Sequence, residues 1–226
     1  MQQRPAATEG EILKRHWWRF YHPNLFSDPK NRERWPKFRS VVQSVDTPLK
    51  DKESNDLVAI QAWGVLGADR YLLDLKKGHM SAPQAKRAIV EQARFVRTRF
   101  RCAHHVLIEN AGYGVELYDE LKRELTGVQK ITRGTDGDKV LRAEYASSDL
   151  QSGNCFLPGY REGADEYSLP DERRCPAEVV DFIDSCATFP NGKYDDDVDA
   201  WSQCMNWLRS RSAAPARTWS SFKRKG

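Results

Sequence analysis

The chain has 226 residues, 39% of them apolar and 11% aromatic, which is enough for one large domain with a real core and too much for global disorder. A formal net charge of +4 leaves room for an anionic partner without requiring one. No apolar run approaches the length of a membrane span and the N-terminus is not signal-like, so no membrane partner is expected. Five cysteines (Cys102, Cys155, Cys175, Cys186 and Cys204) are an odd number with no CxxC spacing, which argues against a disulfide scaffold or a zinc site and for a reducing compartment.

Residues 1–36 are polar, punctuated by proline and rich in aromatics around His16–His22; they are expected to form an extended arm or linker. Arg39–Asp46 is β-rich through Val41, Val42 and Val45 and stops at Asp46-Thr47-Pro48. After a charged connection, Leu57–Val65 and Arg70–Lys76 read as two further strands, so that three successive strands predict an antiparallel meander. Ser81-Ala82-Pro83 signals a helix start, and Ala85, Ile89, Ala93, Val96 and Phe100 carry the helical period onward.

The apolar run His105–Glu109 predicts a buried strand ending in an acid, and Asn110-Ala111-Gly112-Tyr113-Gly114 turns the chain into a second helix through Leu125. Val128–Ile131 reads as a strand, and the polar loop 133–138 leads to a helix ending near Ser148. Cys155–Pro158 reads as a short strand, 159–174 as a mobile loop, Pro176–Ala187 as a helix, and residues 210–226 as a basic, disordered tail. Strands and helices alternating after a meander predict an α/β fold: a mixed sheet, antiparallel and then parallel, with helices on both faces.

The last helix carries the densest chemistry. Asp195, Asp196, Asp197 and Asp199 crowd its start, while Val198, Trp201, Met205 and Leu208 fall at i, i+3, i+7 and i+10, one buried stripe. Alone, this stretch reads either as a solvated acidic helix start, relieved by the helix dipole, or as one arm of a metal site. Asp46 and Glu109, each ending a strand, decide between the two. If their strands are neighbours, the carboxylates converge and the last helix brings Asp195 and Asp196 over them. Hard oxygen ligands without nearby Cys or His suit Mg²⁺ or Mn²⁺. Two such ions about 3.5–4 Å apart stabilise both the attacking and the leaving oxygen in phosphodiester hydrolysis.

Three stretches carry a family resemblance: Val42-Gln43-Ser44-Val45-Asp46-Thr47, Val106-Leu107-Ile108-Glu109-Asn110 with Gly112 and Gly114, and Tyr194-Asp195-Asp196-Asp197-Val198-Asp199-Ala200. They resemble motifs of the C-terminal, RNase H-like nuclease domain of phage terminase large subunits. Asp138-Lys139-Val140-Leu141-Arg142-Ala143 resembles a further segment of that family, and Tyr194 stands where it often has His. The resemblance implies a metal-dependent endonuclease that cuts double-stranded concatemeric viral DNA with little sequence preference. It implies catalytic and metal-binding roles for Asp46, Glu109, Asp195 and Asp196, with Asp199 supporting them and Mg²⁺ or Mn²⁺, two ions, as cofactor. It further implies an upstream ATPase motor, portal and small-subunit partners, and the cytoplasm of an infected bacterium.

The domain division expected is an arm at 1–36 following the motor, a nuclease domain at 37–209 and a tail at 210–226. Lys139 and Arg142, at i, i+3, either meet DNA phosphates or form a solvated face. His104 and His105 read as structural. Another RNase H-like nuclease, such as a resolvase or transposase core, and a non-catalytic DNA-binding or docking module are the competing readings. No G-x-x-x-x-G-K-[ST] occurs, so this chain does not itself carry a P-loop ATPase motif.

Overall fold

The computed structural model describes residues 12–22, 25–26, 32–33, 35–47, 56–132, 139–159, 175–192 and 195–212. The loops expected at 133–138 and 160–174, Tyr194 and the tail from 213 lie outside these residues. The described chain forms β1 (Arg19–Tyr21), β2 (Ser40–Asp46), β3 (Asp56–Leu66), β4 (Asp69–Met80), α1 (Ala82–Arg99), β5 (Ala103–Glu109), α2 (Gly114–Glu124), β6 (Val128–Ile131), α3 (Lys139–Gln151), β7 (Cys155–Pro158), α4 (Ala177–Thr188) and α5 (Asp196–Ser212).

The strands make one mixed sheet in the order β1-β7-β4-β3-β2-β5-β6. The β2–β3–β4 meander is antiparallel, with a register shift at Ala62/Trp63, and β5, β6, β7 and β1 join in parallel. Ordinary chemistry sets the element starts. At α1 the Ser81 N–H donates to Gln84 Oε1 at 2.8 Å, with Pro83 in the first turn. At β3 the side chains alternate faces: Val58 and Ile60 enter the core under α1 and α2, while Trp63 and Val65 enter the core under α5.

Helices cover both faces, as expected. α1 and α2 pack on one side through Ile89, Ala93, Leu117 and Leu121. α3, α4 and α5 pack on the other, around Trp201, which is fully buried and meets Trp18 edge-on at 5.8 Å. Burying an aromatic of this size is worth a few kcal/mol, so the α5 stripe read from the sequence fixes that helix to the sheet.

Two expectations shift. Residues 1–36 are not only an arm: Arg19–Tyr21 adds an edge strand parallel to β7, and Leu13 and Trp18 enter the main core. The reason is aromatic packing, since Tyr21, Phe26 and Trp35 join Phe38 and Phe100 in a separate cluster. At the other end, α5 runs on to Ser212 instead of giving way to a tail at 210, helped by Arg211 stacking 4.4 Å from the Trp207 ring.

His104 lies within β5 rather than before it, and its Nδ1 accepts a hydrogen bond from Arg97 Nε at 3.1 Å. Burial, with the charges of Arg97 and His105 adding to it, lowers its pKa to about 4. A neutral histidine favours the folded state above the unfolded pKa of about 6.5, and that contribution is lost as the pH falls toward 4. Comparing unfolding free energies at pH 7 and pH 4.5, His104→Gln is expected to narrow the difference by about 1–3 kcal/mol; a difference as wide as the wild type's would show that His104 is not held neutral.

Candidate functional site

β2 is the fulcrum. Every one of its residues is buried, and it lies between antiparallel β3 and parallel β5. The β2–β5 register pairs Val45 with Ile108, so the next step along both strands brings Asp46 beside Glu109. Neighbouring strands run about 4.8 Å apart, which sets the spacing of the two backbones. Both acids are nearly enclosed, 6% and 7% exposed.

Alternation then decides which way they point. Gln43 reaches α1, its Nε2 donating to the Ile89 carbonyl at 3.0 Å, and Val45 packs on the same side. Ser44 looks the other way and accepts a hydrogen bond from Gln203 Nε2 of α5 at 3.0 Å. Asp46 follows Ser44's face. On β5, Leu107 enters the α5 core and Ile108 the opposite one, so Glu109 also opens toward α5.

Two glycines shape the turn after Glu109. Gly112 has φ +52°, a left-handed conformation that other residues adopt at a cost. At Gly114 a Cβ would stand 2.1 Å from the Glu109 carbonyl oxygen, so only glycine lets α2 begin against the acid's own backbone.

The four acids at the start of α5 meet four different environments. Asp195 is partly exposed, and its Oδ2 accepts a hydrogen bond from Lys139 Nζ at 2.8 Å. Asp196 is half-buried; burial first, then the charges of Asp195 and Asp197, raises its pKa. Asp197, one of the acids that crowd the helix start, is fully buried. It pairs with Lys77 of β4 and accepts from Ser185 Oγ at 3.2 Å, while its main-chain carbonyl accepts from Gln61 Nε2 at 3.0 Å. Burial raises its pKa, with Lys77 opposing the shift. Asp197 is therefore the acid that anchors the helix start. Asp199 is 5% exposed and forms 2.8 Å ion pairs with Lys139 and with Arg142 of α3.

Asp46 and Asp199 line one cleft of about 650 Å³ with Arg142, Tyr145, Gln203 and Trp207. Lys130 and Arg209 add positive charge to its walls. Asp199, Gln203, Asn206 and Ser210 stand at i, i+4, i+7 and i+11 and form the α5 wall, a stripe that the sequence reading missed beyond its acid. The period was readable; what hid it was its polarity, which looks like any solvated helix face.

The donor chemistry around Asp46, Glu109 and the α5 acids is all hard oxygen and suits Mg²⁺ or Mn²⁺. Among the described residues, however, no three Asp, Glu, His or Cys side chains stand close enough together to hold one ion. The two strand-end acids are brought together, whereas the α5 carboxylates of Asp195 and Asp199 are held by Lys139 and Arg142. Lys139 is held charged in turn: burial works against it, but its bonds to Asp195 and Asp199 outweigh this and raise its pKa.

This mixed sheet with helices on both faces is an RNase H-like α/β fold, and it is the fold of large-terminase nuclease domains. The large terminase nuclease of thermophilic phage G20c with bound magnesium aligns with a TM-score of 0.50 at 10% identity, over 76% of this chain and 85% of that one. The human cytomegalovirus terminase nuclease domain, soaked with manganese and inhibitor-bound, aligns with a TM-score of 0.52 at 14% identity, over 84% and 89%. The large terminase of a second thermophilic bacteriophage, in complex with ADP, aligns with a TM-score of 0.51 at 10% identity; the match covers 76% of this chain but only 40% of that longer protein. At such identities the likeness is one of fold. No protein-family model and no curated protein sequence matches the chain.

Gly114→Ala is expected to force the β5–α2 turn apart and destabilise the protein by about 1–3 kcal/mol, measured by urea unfolding. An alanine variant as stable as the wild type would show that α2 does not rest on the Glu109 backbone.

Proposed function

We propose that this chain is a metal-dependent endonuclease domain of the terminase type, acting on double-stranded DNA. The observation that supports it most is the register of β2 with β5, which sets Asp46 and Glu109 side by side and facing the acid-bearing start of α5. In this reading Asp46 and Glu109 hold divalent metal, Mg²⁺ or Mn²⁺ and two ions, together with acids of α5. Asp195 and Asp196 are the α5 candidates from the sequence; the cleft shared by Asp46 and Asp199 favours Asp199 as a direct ligand as well. Metal bound there would supply Lewis acidity for phosphodiester hydrolysis.

The protein's own residues do the rest. β2 and β5 fix two carboxylates through backbone pairing, so little reorganisation is needed to present them. Asp197, tied to Lys77, holds the first turn of α5 against the sheet. Lys139 and Arg142 are placed to exchange carboxylate partners for DNA phosphates, a swap between two charge-assisted contacts of similar kind. Among the described residues the cleft walls offer Lys130, Arg142 and Arg209, cations suited to backbone phosphates, in keeping with low sequence preference.

By the same reading an ATPase motor belongs to the full-length protein, portal and small terminase subunit are its partners, and the infected bacterial cytoplasm is its place of action. One observation favours a second reading: with Asp195 and Asp199 already neutralised by Lys139 and Arg142, the α5 acids serve as structural ion pairs of a non-catalytic DNA-binding or docking module.

Incubation of the protein with supercoiled plasmid and Mn²⁺ separates the two. Nicking and linearisation are expected, falling by at least ~100-fold in Asp46→Ala and Glu109→Ala while far-UV circular dichroism stays unchanged. Cutting that survives both substitutions overturns the site, and a plasmid left intact by the wild type with either metal favours the module.

A further inference from the structure

A second cleft, of about 640 Å³, lies at the opposite end of the same two strands. Lys37 and Phe38 lead into β2, and Arg101 and Cys102 lead into β5, whereas the acids close those strands at their far ends. Six residues of extended chain separate the two ends, about 20 Å. Among the described residues the cleft is lined by Arg32, Lys37, Arg99 and Arg101 against one acid, Glu33, around the ring of Trp35.

Four cations facing one carboxylate repel one another. Among the described residues no carboxylate forms an ion pair with any of the four. The crowding is held in place by rigid contacts. The Arg32 and Arg99 guanidinium carbons stand 5.4 and 5.2 Å from the Trp35 ring centroid, so both charges are gathered by one aromatic. Arg32 Nη2 donates to the Thr98 carbonyl at 2.8 Å, and Arg99 donates to the Phe26 carbonyl, which leaves each guanidinium with donors to spare. Burial first, and then the nearby charge of Arg32, lowers the Arg99 pKa.

From this geometry we propose that the Trp35 cleft is a binding site for phosphate oxyanions, separate from the acid site. Three of its four cations are arginines, whose planar forks match a tetrahedral oxyanion through paired N–H donors. The apolar floor of Trp35, Phe38 and Phe100 keeps the local dielectric low and strengthens the attraction. The ligand chemistry has two sources, the phosphodiester backbone of nucleic acid and a free phosphate group. Neither depends on whether the acids at the other end cut DNA.

The test uses the whole chain in EDTA, so that cleavage plays no part. Thermal unfolding is followed in inorganic phosphate and in chloride at matched ionic strength, and binding of a fluorescent duplex is followed by anisotropy across salt concentrations. Phosphate is expected to raise the unfolding temperature of the wild type beyond chloride, and this gain is expected to vanish in the Lys37→Gln, Arg101→Gln double variant. Those two side chains are exposed and lie outside the Trp35 stack, so the fold is retained. Glu33→Gln removes the acid among the described lining residues and is expected to enlarge the phosphate shift.

If the source is nucleic acid, the double variant also lowers the slope of log affinity against log salt by about two. A phosphate shift lost without a change in that slope identifies free phosphate as the ligand. A wild type that responds to phosphate no more than to chloride overturns the proposal. So does a poly-glutamate peptide that stabilises it as well as phosphate does, which would make the cleft a surface for acidic protein.

Discussion

The parallel pairing of β2 with β5 is the constraint on which the rest of the site depends. A carboxylate on a flexible loop loses conformational entropy each time it is placed, whereas Asp46 and Glu109 are each the last residue of a strand whose other residues are already paired. The register is set by apolar side chains of both strands, Val42 and Leu107 on one face, Val45 and Ile108 on the other. A slip of one residue would turn either acid into the opposite core, where its charge would be buried without water or partner. The hydrophobic pattern that folds the sheet and the chemistry at its end are therefore fixed by the same alternation.

The start of α5 shows how one short acidic run is divided among different tasks. A helix turns about 100° per residue, so adjacent acids cannot share a direction. Asp197 turns inward to Lys77 and Ser185 and is buried with them. Two residues later Asp199 faces α3, and Asp195, one turn before it, faces the same way, which is why one lysine, Lys139, reaches both. Taking Asp197 out of water is costly unless its partner stays in place, and Lys77 does so from the neighbouring sheet. The helix start is thus clamped from below by β4 and from the side by α3.

Much of this is legible in the sequence, and where it is not the cause is long-range. The meander, the β5 strand and the α5 stripe of Val198, Trp201, Met205 and Leu208 are readable because their periods are local. So is the convergence of Asp46 and Glu109, once the two strands are taken as neighbours. β1 escapes notice because Arg19-Phe20-Tyr21 is three residues long and its partner, β7, lies more than half the chain away. Asp197 looks like a surface acid because it stands in a run of acids, and its partner, Lys77, comes from a strand far earlier in the chain. Lys139 and Arg142 are visible as a pair on one helix side, but spacing alone does not say that their first partners are carboxylates of α5.

The short strand β1 has a consequence of its own for the outer margin of the sheet. Without it, the side of β7 that faces away from β4 would present unpaired backbone amides and carbonyls. An open margin of that kind recruits strands from other molecules. β7 also follows directly on α3, which carries Lys139 and Arg142, through the short turn at 152–154. Arg19–Tyr21 thus moves the outer margin of the sheet from β7 to a strand of three residues, and the strand it covers is the one to which the basic helix is tethered.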